Sequence, residues 1–453
     1  MDRLDKNERG RDRSGTDEEH PVEGIPVMGA GHITSREQLI GMLGEAAEVE
    51  HTLMCTYLYA AFSLKTEEAD GLTARQLDAV RRWRASIIRV AVEEMSHLAI
   101  VANLSVAVGG PAHFNRLNFP IAPGPLPAAM CVRLARFTPD TLQHFIFLER
   151  PLDSDEPDGE GFGGDRDYER GPLPETQLMP VTYDYETVGE LYDTIVRSLE
   201  TLQERYGAGH LFVGDKSRQV GPDITPLPGL MTICNLDDAR QAVEIIKEQG
   251  EGADHHTDNS HFDRFCKIRS EWRDLLADDP DFIPARPVAD NPVMRRPPTP
   301  DGKVWITHHD AAQVLDLANA LYVQQLRLLS QAFGRPETGP GDPYEKRVLV
   351  NAATDLMHAM TPAAEALTTY PAHDGADCHA GMSFAMVRGL APLPMGTEWQ
   401  VLNCRFNELV EGGAAMRGLH PKVDRSLDML EGVAQTFARH VAIICGADAE
   451  RAA

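Results

Sequence analysis

The sequence predicts a mainly α protein: a four-helix bundle with a long crossover insertion, followed by a C-terminal helical domain. Three observations carry that expectation. Apolar residues recur in steps of three and four through several long stretches, and alternating β-branched runs are few. The gap from Gly109 to Thr187 far exceeds what an antiparallel hairpin needs, so one connection must return the chain to the same end of the bundle.

Each element follows from local signals. Thr34-Ser35-Arg36-Glu37 supplies an N-cap before an amphipathic run to about Ser63. A second helix is expected from Thr73 to about Val108, where Gly109-Gly110-Pro111 stops it. Pro139 to Leu148 reads as a short helix, and Asp153 to Pro180, rich in Gly, Pro and acidic residues, as an exposed loop. Helices three and four are expected at Thr187–Tyr206 and Asp237–Gln249, with helical character resuming over His261–Leu276. Further helices are expected at His309–Phe333, Tyr344–Tyr370, Gly396–Val410 and Val423–Ile444. The division is then a disordered charged tail at 1–30, a bundle domain at 31–277 with its insertion at 110–186, a Pro-rich linker at 278–301, and a C-terminal helical domain at 302–453.

Composition narrows the function. A chain of 453 residues with 42% apolar residues can bury a sizeable core. A net charge of −26 argues against nucleic acid and anionic membranes as partners. No stretch approaches the ~18 apolar residues of a membrane span. Cys55, Cys131, Cys234, Cys266, Cys378, Cys404 and Cys445 are odd in number and widely spaced, which reads as reduced thiols. The N-terminus lacks the apolar core of a signal peptide, so a cytoplasmic location is expected.

The candidate chemistry lies on the first two helices. Leu39, Leu43, Ala46, Leu53 and Tyr57 define an apolar seam, and Glu50 falls on it. A carboxylate there is costly unless it is paired or bound to metal. Helix two repeats the anomaly: its seam runs Trp83, Ile87, Val90, Glu94, His97, Val101, Leu104 and Val108. Glu94 and His97 are one turn apart on one face, the Glu-x-x-His device of dimetal carboxylate bundles. The competing interpretation is a buried Glu–His pair that fixes helix register. On helix three, Glu190 borders the apolar face, while Glu200 shares a side with Asp193 and Arg197. Helix four has no Glu-x-x-His, so a sixth ligand would come from His255, His256 or His261. His51 points about 100° away from Glu50 and reads as a core residue. Tyr57 reads as a core tyrosine and as a candidate for lining the pocket. His308-His309 reads as a helix cap, and the His373–His379 segment as flexible.

These segments together resemble the ferritin-like domain family of bacterial natural-product enzymes, which includes the iminophenylpyruvate-dimer and chromopyrrolate-type synthases. The likeness is carried by Glu50-His51, Val92 to Leu98, Thr187 to Tyr192, Leu211 to Asp215 with Gln219-Val220, Ile246 to Gly252 and His261 to Phe265. Ala380 to Phe384 and Glu398-Trp399 add to it. The resemblance implies Glu50, Glu94, His97, Glu190, Glu251 and His261 as metal ligands, with His256 as the alternative to His261.

Such a set suits two iron ions, or manganese, with dioxygen or peroxide as co-substrate. The leading expectation is an oxidase or oxygenase acting on a small, amino-acid-derived intermediate. A dimetal catalase or iron-handling protein, an imine-dimer coupling enzyme, and a scaffold with a structural or lost metal site are the alternatives. No residue marks an axial haem ligand. A small-molecule substrate and a homodimer are the partners the sequence leaves open.

Overall fold

The computed structural model describes residues 33–452 apart from 123, 128–129, 164–169, 171–177, 253–258 and 336–342, with side chains described as far as 446. The expected tail at 1–30 and the candidates His255 and His256 lie outside the described residues.

Helices α1 (Arg36–Ser63) and α2 (Ala74–Ala107) pack along their lengths. Both begin with a capping box, Ser35 with Gln38 and Thr73 with Gln76, in which each side chain satisfies a backbone N–H of the first turn. Helix α2 ends where Gly109 takes a φ of 86° and Gly110 N–H donates to the Ser105 carbonyl at 2.8 Å.

Helices α4 (Val188–Tyr206) and α6 (Leu236–Gly250) complete the bundle; α4 lies on α1 and α6, and α6 also meets α2. A single turn, α5 (Ala208–Leu211), follows α4. The crossover insertion contributes α3 (Pro139–Leu148), which packs against α7 (His261–Asp278), and α7 rests on α2. The insertion is therefore docked onto the bundle. That docking shapes the site.

The Pro-rich stretch after α7 is packed, with Phe282, Ala285, Val288 and Ala289 buried. It leads into a short parallel pair, β1 (Pro292–Val293) and β2 (Val304–Trp305). Four helices follow: α8 (His309–Gly334), α9 (Tyr344–Leu367), α10 (Glu398–Gly413) and α11 (Pro421–Ala452). Helix α9 packs on α8 and α11, and α10 also bridges those two. His308 caps α8, its ring accepting from Ala311 N–H. Helix α8 touches α2, α9 touches α1, and one apolar core runs from Ile33 to Ile444. Among the described residues no helix is long and apolar enough to cross a membrane, and all seven cysteines are free.

The segment after α5 pins the end of α2. Gly214 N–H donates to the Ala107 carbonyl at 3.0 Å, and a Cβ on Gly214 would fall 1.7 Å from the Val106 carbonyl oxygen. Backbone cannot give way as a side-chain tip can. Gly214→Ala is therefore expected to cost about 1–3 kcal/mol, read as a lower urea midpoint with an unchanged slope.

Candidate metal centre

Burial on α1 and α2 brings the first group together. Glu50, Glu94 and His97 are each at most 2% exposed, and their ligand atoms lie within 4.8 Å of one another. His97 Nδ1 is 3.0 Å from Glu94 Oε2 and 3.4 Å from Glu50 Oε2. A second group adjoins the first and shares one member: Glu94, Glu149 and His261. His261 Nδ1 is 2.9 Å from Glu94 Oε1 and 3.4 Å from Glu149 Oε2. Glu94 thus turns one oxygen to each histidine, and the two imidazole rings lie 5.5 Å apart at 29°.

The outward nitrogens fix the ring orientations. His97 Nε2 is 2.9 Å from Gln249 Oε1, at the end of α6. His261 Nε2 is 3.0 Å from Glu93 Oε2, and Arg264 donates to both oxygens of Glu93 at 2.6 and 3.1 Å. With Nε2–H donating outward, each ring turns Nδ1 toward the carboxylates, where it can carry a proton or, once that proton is lost, ligate a metal. Two tyrosines hold the outer carboxylates: Tyr192 on α4 donates to Glu50, and Tyr57 on α1 donates to Glu149.

The electrostatics show how the cluster balances its buried charge. Burial, and then the neighbouring Glu94 charge, push the Glu50 carboxyl up to about 8. Burial opposes charge on His97, but Glu94 and Glu50 outweigh it and raise that ring to about 10. His261 is raised by Glu94 and Glu149 in the same way, against burial. Glu94 is held well below the usual carboxylate range: its burial works against this, and His97 and His261 overcome it. Protons here do the neutralising that a cation could do. His261 Nδ1 is buried without a hydrogen-bond partner although two carboxylates are in contact with it. Three carboxylates and two imidazoles so arranged fit a pair of divalent ions.

The remaining candidates lie around this cluster. Glu190 is in the first turn of α4, where its own N–H is capped by Thr187 and its carboxylate accepts from Glu186 N–H at 2.8 Å. Glu190 belongs to neither metal-ligand group. Glu251 caps the end of α6 and lines the cleft over Glu50, Glu94 and Glu149, but belongs to neither metal-ligand group. It sits against α4 where a Cβ on Gly189 would fall 2.1 Å from its Oε1. The cleft has a volume of about 20 Å³, room for a water or an ion. His51 faces away, its Nε2 2.6 Å from the Tyr322 hydroxyl.

Glu149 was missed by the sequence reading. It follows α3 directly, and the buried positions Leu142, Phe145 and Ile146 lead to it in steps of three and four. An acid continuing an apolar stripe is the same signal that singles out Glu50, here in a helix of 10 residues.

Two outcomes are expected. Glu149→Ala should lower bound metal from about two ions per chain to about one or fewer, whereas Glu190→Ala should leave it unchanged, by elemental analysis of the purified variants. In the metal-free protein, His97 keeps its proton from the usual 6.5 up to about 10, and Glu50 from 4.5 up to about 8. The folded state binds these protons more tightly than the unfolded chain does, so their contribution is full at low pH and is lost as pH rises. The thermal midpoint of chelator-treated protein should accordingly fall from about pH 5 to about pH 10, while metal-loaded protein should lose its ions as pH falls.

The model of the Ferritin-like family matches residues 43–270, half of the chain. The chain is 29% identical to a dichlorochromopyrrolate synthase from Lentzea aerocolonigenes, over 90% of this chain and 42% of that enzyme. It is 25% identical to a 2-imino-3-(indol-3-yl)propanoate dimerase from Chromobacterium violaceum, over 74% of this chain and 32% of that enzyme. The chain thus spans less than half the length of these relatives. A solved ferritin-like protein from Caulobacter vibrioides aligns with 74% of this chain and 95% of its own, at 16% identity and a TM-score of 0.43. By the family match, the chain belongs to the Ferritin-like family.

Proposed function

We propose that this chain is a dimetal oxidoreductase that uses dioxygen or peroxide on a small, amino-acid-derived natural-product intermediate. The observation that carries the reading is the sharing of Glu94 between Glu50–Glu94–His97 and Glu94–Glu149–His261. A carboxylate shared by two Glu–His groups suits two adjacent redox-active cations. In this reading Glu50, Glu94, His97, Glu149 and His261 would hold the ions, with Glu251 lining the cleft beside these residues.

A bound iron pair, or manganese in its place, would supply the electrons for reducing dioxygen or peroxide. The protein's own part is positional. Tyr192 and Tyr57 hold Glu50 and Glu149 by hydrogen bonds, and Gln249 and Glu93 hold the two rings. Near-complete burial keeps bulk water from the cluster and strengthens every charge interaction within it. Arg150 and Lys247 also line the cleft, with Lys247 paired to Asp193 at 2.7 Å.

Oxidative coupling of two imines is the second reading, favoured by the name of the relative that dimerises 2-imino-3-(indol-3-yl)propanoate. The test is dioxygen uptake by iron-loaded protein given 2-imino-3-arylpropanoates generated in place. Substrate-stimulated uptake should fall by about 100-fold or more in Glu94→Ala and His97→Ala, with product mass separating oxygenation from dimerisation. Uptake indifferent to substrate would favour an iron-handling role. One structural zinc, or no metal at all, would sink the reading.

A further inference from the structure

A second site lies between the two groups of helices. A cavity of about 370 Å³ is walled by α1, α2, α8 and α9, with the segment around Val220 to Leu227 at one end. None of its lining residues is Asp, Glu, Lys or Arg. Its polar members are Thr225, Tyr322, Gln325, Thr354 and His358, and Thr354 and His358 are exposed, which places them at the mouth. The Tyr322 hydroxyl is turned outward to His51 and Arg116, leaving its ring as wall.

Size and chemistry define an occupant. Native interiors keep few voids larger than a water molecule, because walls without partner atoms forfeit their dispersion contacts. This cavity falls within the size range of small-molecule pockets. Met54, Met95, Met357 and Met360 line it, and flexible thioethers adapt to irregular ligands and contact aromatic rings well. Phe114, Phe333 and Phe384 add flat apolar surface. A charged group would be desolvated here with no counter-charge.

We propose that this cavity is a binding site for a neutral, apolar molecule of two or three aromatic rings, separate from the carboxylate cluster. No residue lines both this cavity and the cleft over Glu94: α1 gives Glu50 and Leu53 to the cleft and Met54 and Leu58 to the cavity, and α2 gives Glu94 and His97 to the cleft and Met95 and Leu98 to the cavity. The carboxylate cleft is acidic and small, about 20 Å³; the second cavity is uncharged and large. The proposal does not depend on the redox reading.

The test is fluorescence titration of the metal-loaded full chain with two probes sharing one ring skeleton: neutral N-phenyl-1-naphthylamine and anionic 1-anilinonaphthalene-8-sulfonate. The neutral probe should bind saturably at one site, with the anion about tenfold weaker or more. Ala353→Trp fills the buried wall and Met357→Trp, at a half-buried position, fills the approach. Each should weaken neutral-probe binding about tenfold or more while bound metal stays unchanged. The Met357 variant keeps the test valid should Ala353→Trp misfold. Non-saturable binding, equal affinity for the two probes, or undiminished binding in a folded filled variant overturns the proposal. Unchanged metal content separates its failure from that of the redox reading.

Discussion

The carboxylate of Glu94 sits 1% exposed in the middle of the longest helix of the bundle, and the surrounding architecture answers that placement. A bare carboxylate at such a depth would be prohibitively desolvated. One oxygen faces His97, a turn along the same helix, and the other faces His261 at the start of α7. Both rings then need their far nitrogens occupied, which Gln249 and Glu93 provide. Glu93 in turn needs Arg264, and Glu50 and Glu149 need Tyr192 and Tyr57. Each polar group buried to satisfy one neighbour creates a requirement met by the next, until the chain of contacts reaches the partly exposed Arg264.

What was legible in the sequence was whatever repeats with helical period. Glu50, Glu94 and His97 stood out because each interrupts an apolar seam long enough to have a defined phase. The helix ends were legible for a related reason: the Thr34-to-Glu37 cap segment and Gly109-Gly110 act on the backbone within a turn of themselves, although the box that forms pairs Ser35 with Gln38. Glu190 only borders its apolar face, and its position in the first turn of α4 gives its carboxylate a backbone partner close by. Periodicity ranks faces and has no knowledge of which end of a helix a neighbour covers. Glu251 illustrates the opposite difficulty, since its place in the cleft depends on a glycine on a different helix.

Long-range partners were illegible for a plainer reason. Glu149 meets Tyr57, and Tyr192 meets Glu50, across sequence separations of 92 and 142 residues. No local pattern records such pairings. The insertion illustrates the consequence: its length was visible as a crossover, and Asp153 to Pro180 within it as an exposed loop. Its helix instead delivers Glu149 into the core by packing on α7, the helix that delivers His261.

This origin of the ligand groups constrains how the centre can form. Glu50, Glu94 and His97 come from the packed pair α1 and α2, which defines one half of the centre within a single hairpin. Glu149 and His261 come from two helices held chiefly by each other and by α2. A cation in the first group would tighten a contact that the hairpin already makes. A cation in the second would close a loop of more than a hundred residues between α3 and α7, and its binding free energy would stabilise the docked insertion directly. The two positions are therefore unequal although they share Glu94. The half built from α1 and α2 is preorganised by helix packing. The half built from α3 and α7 rests on the packing of those two helices on each other and on α2, and an ion held there would add its binding free energy to that packing.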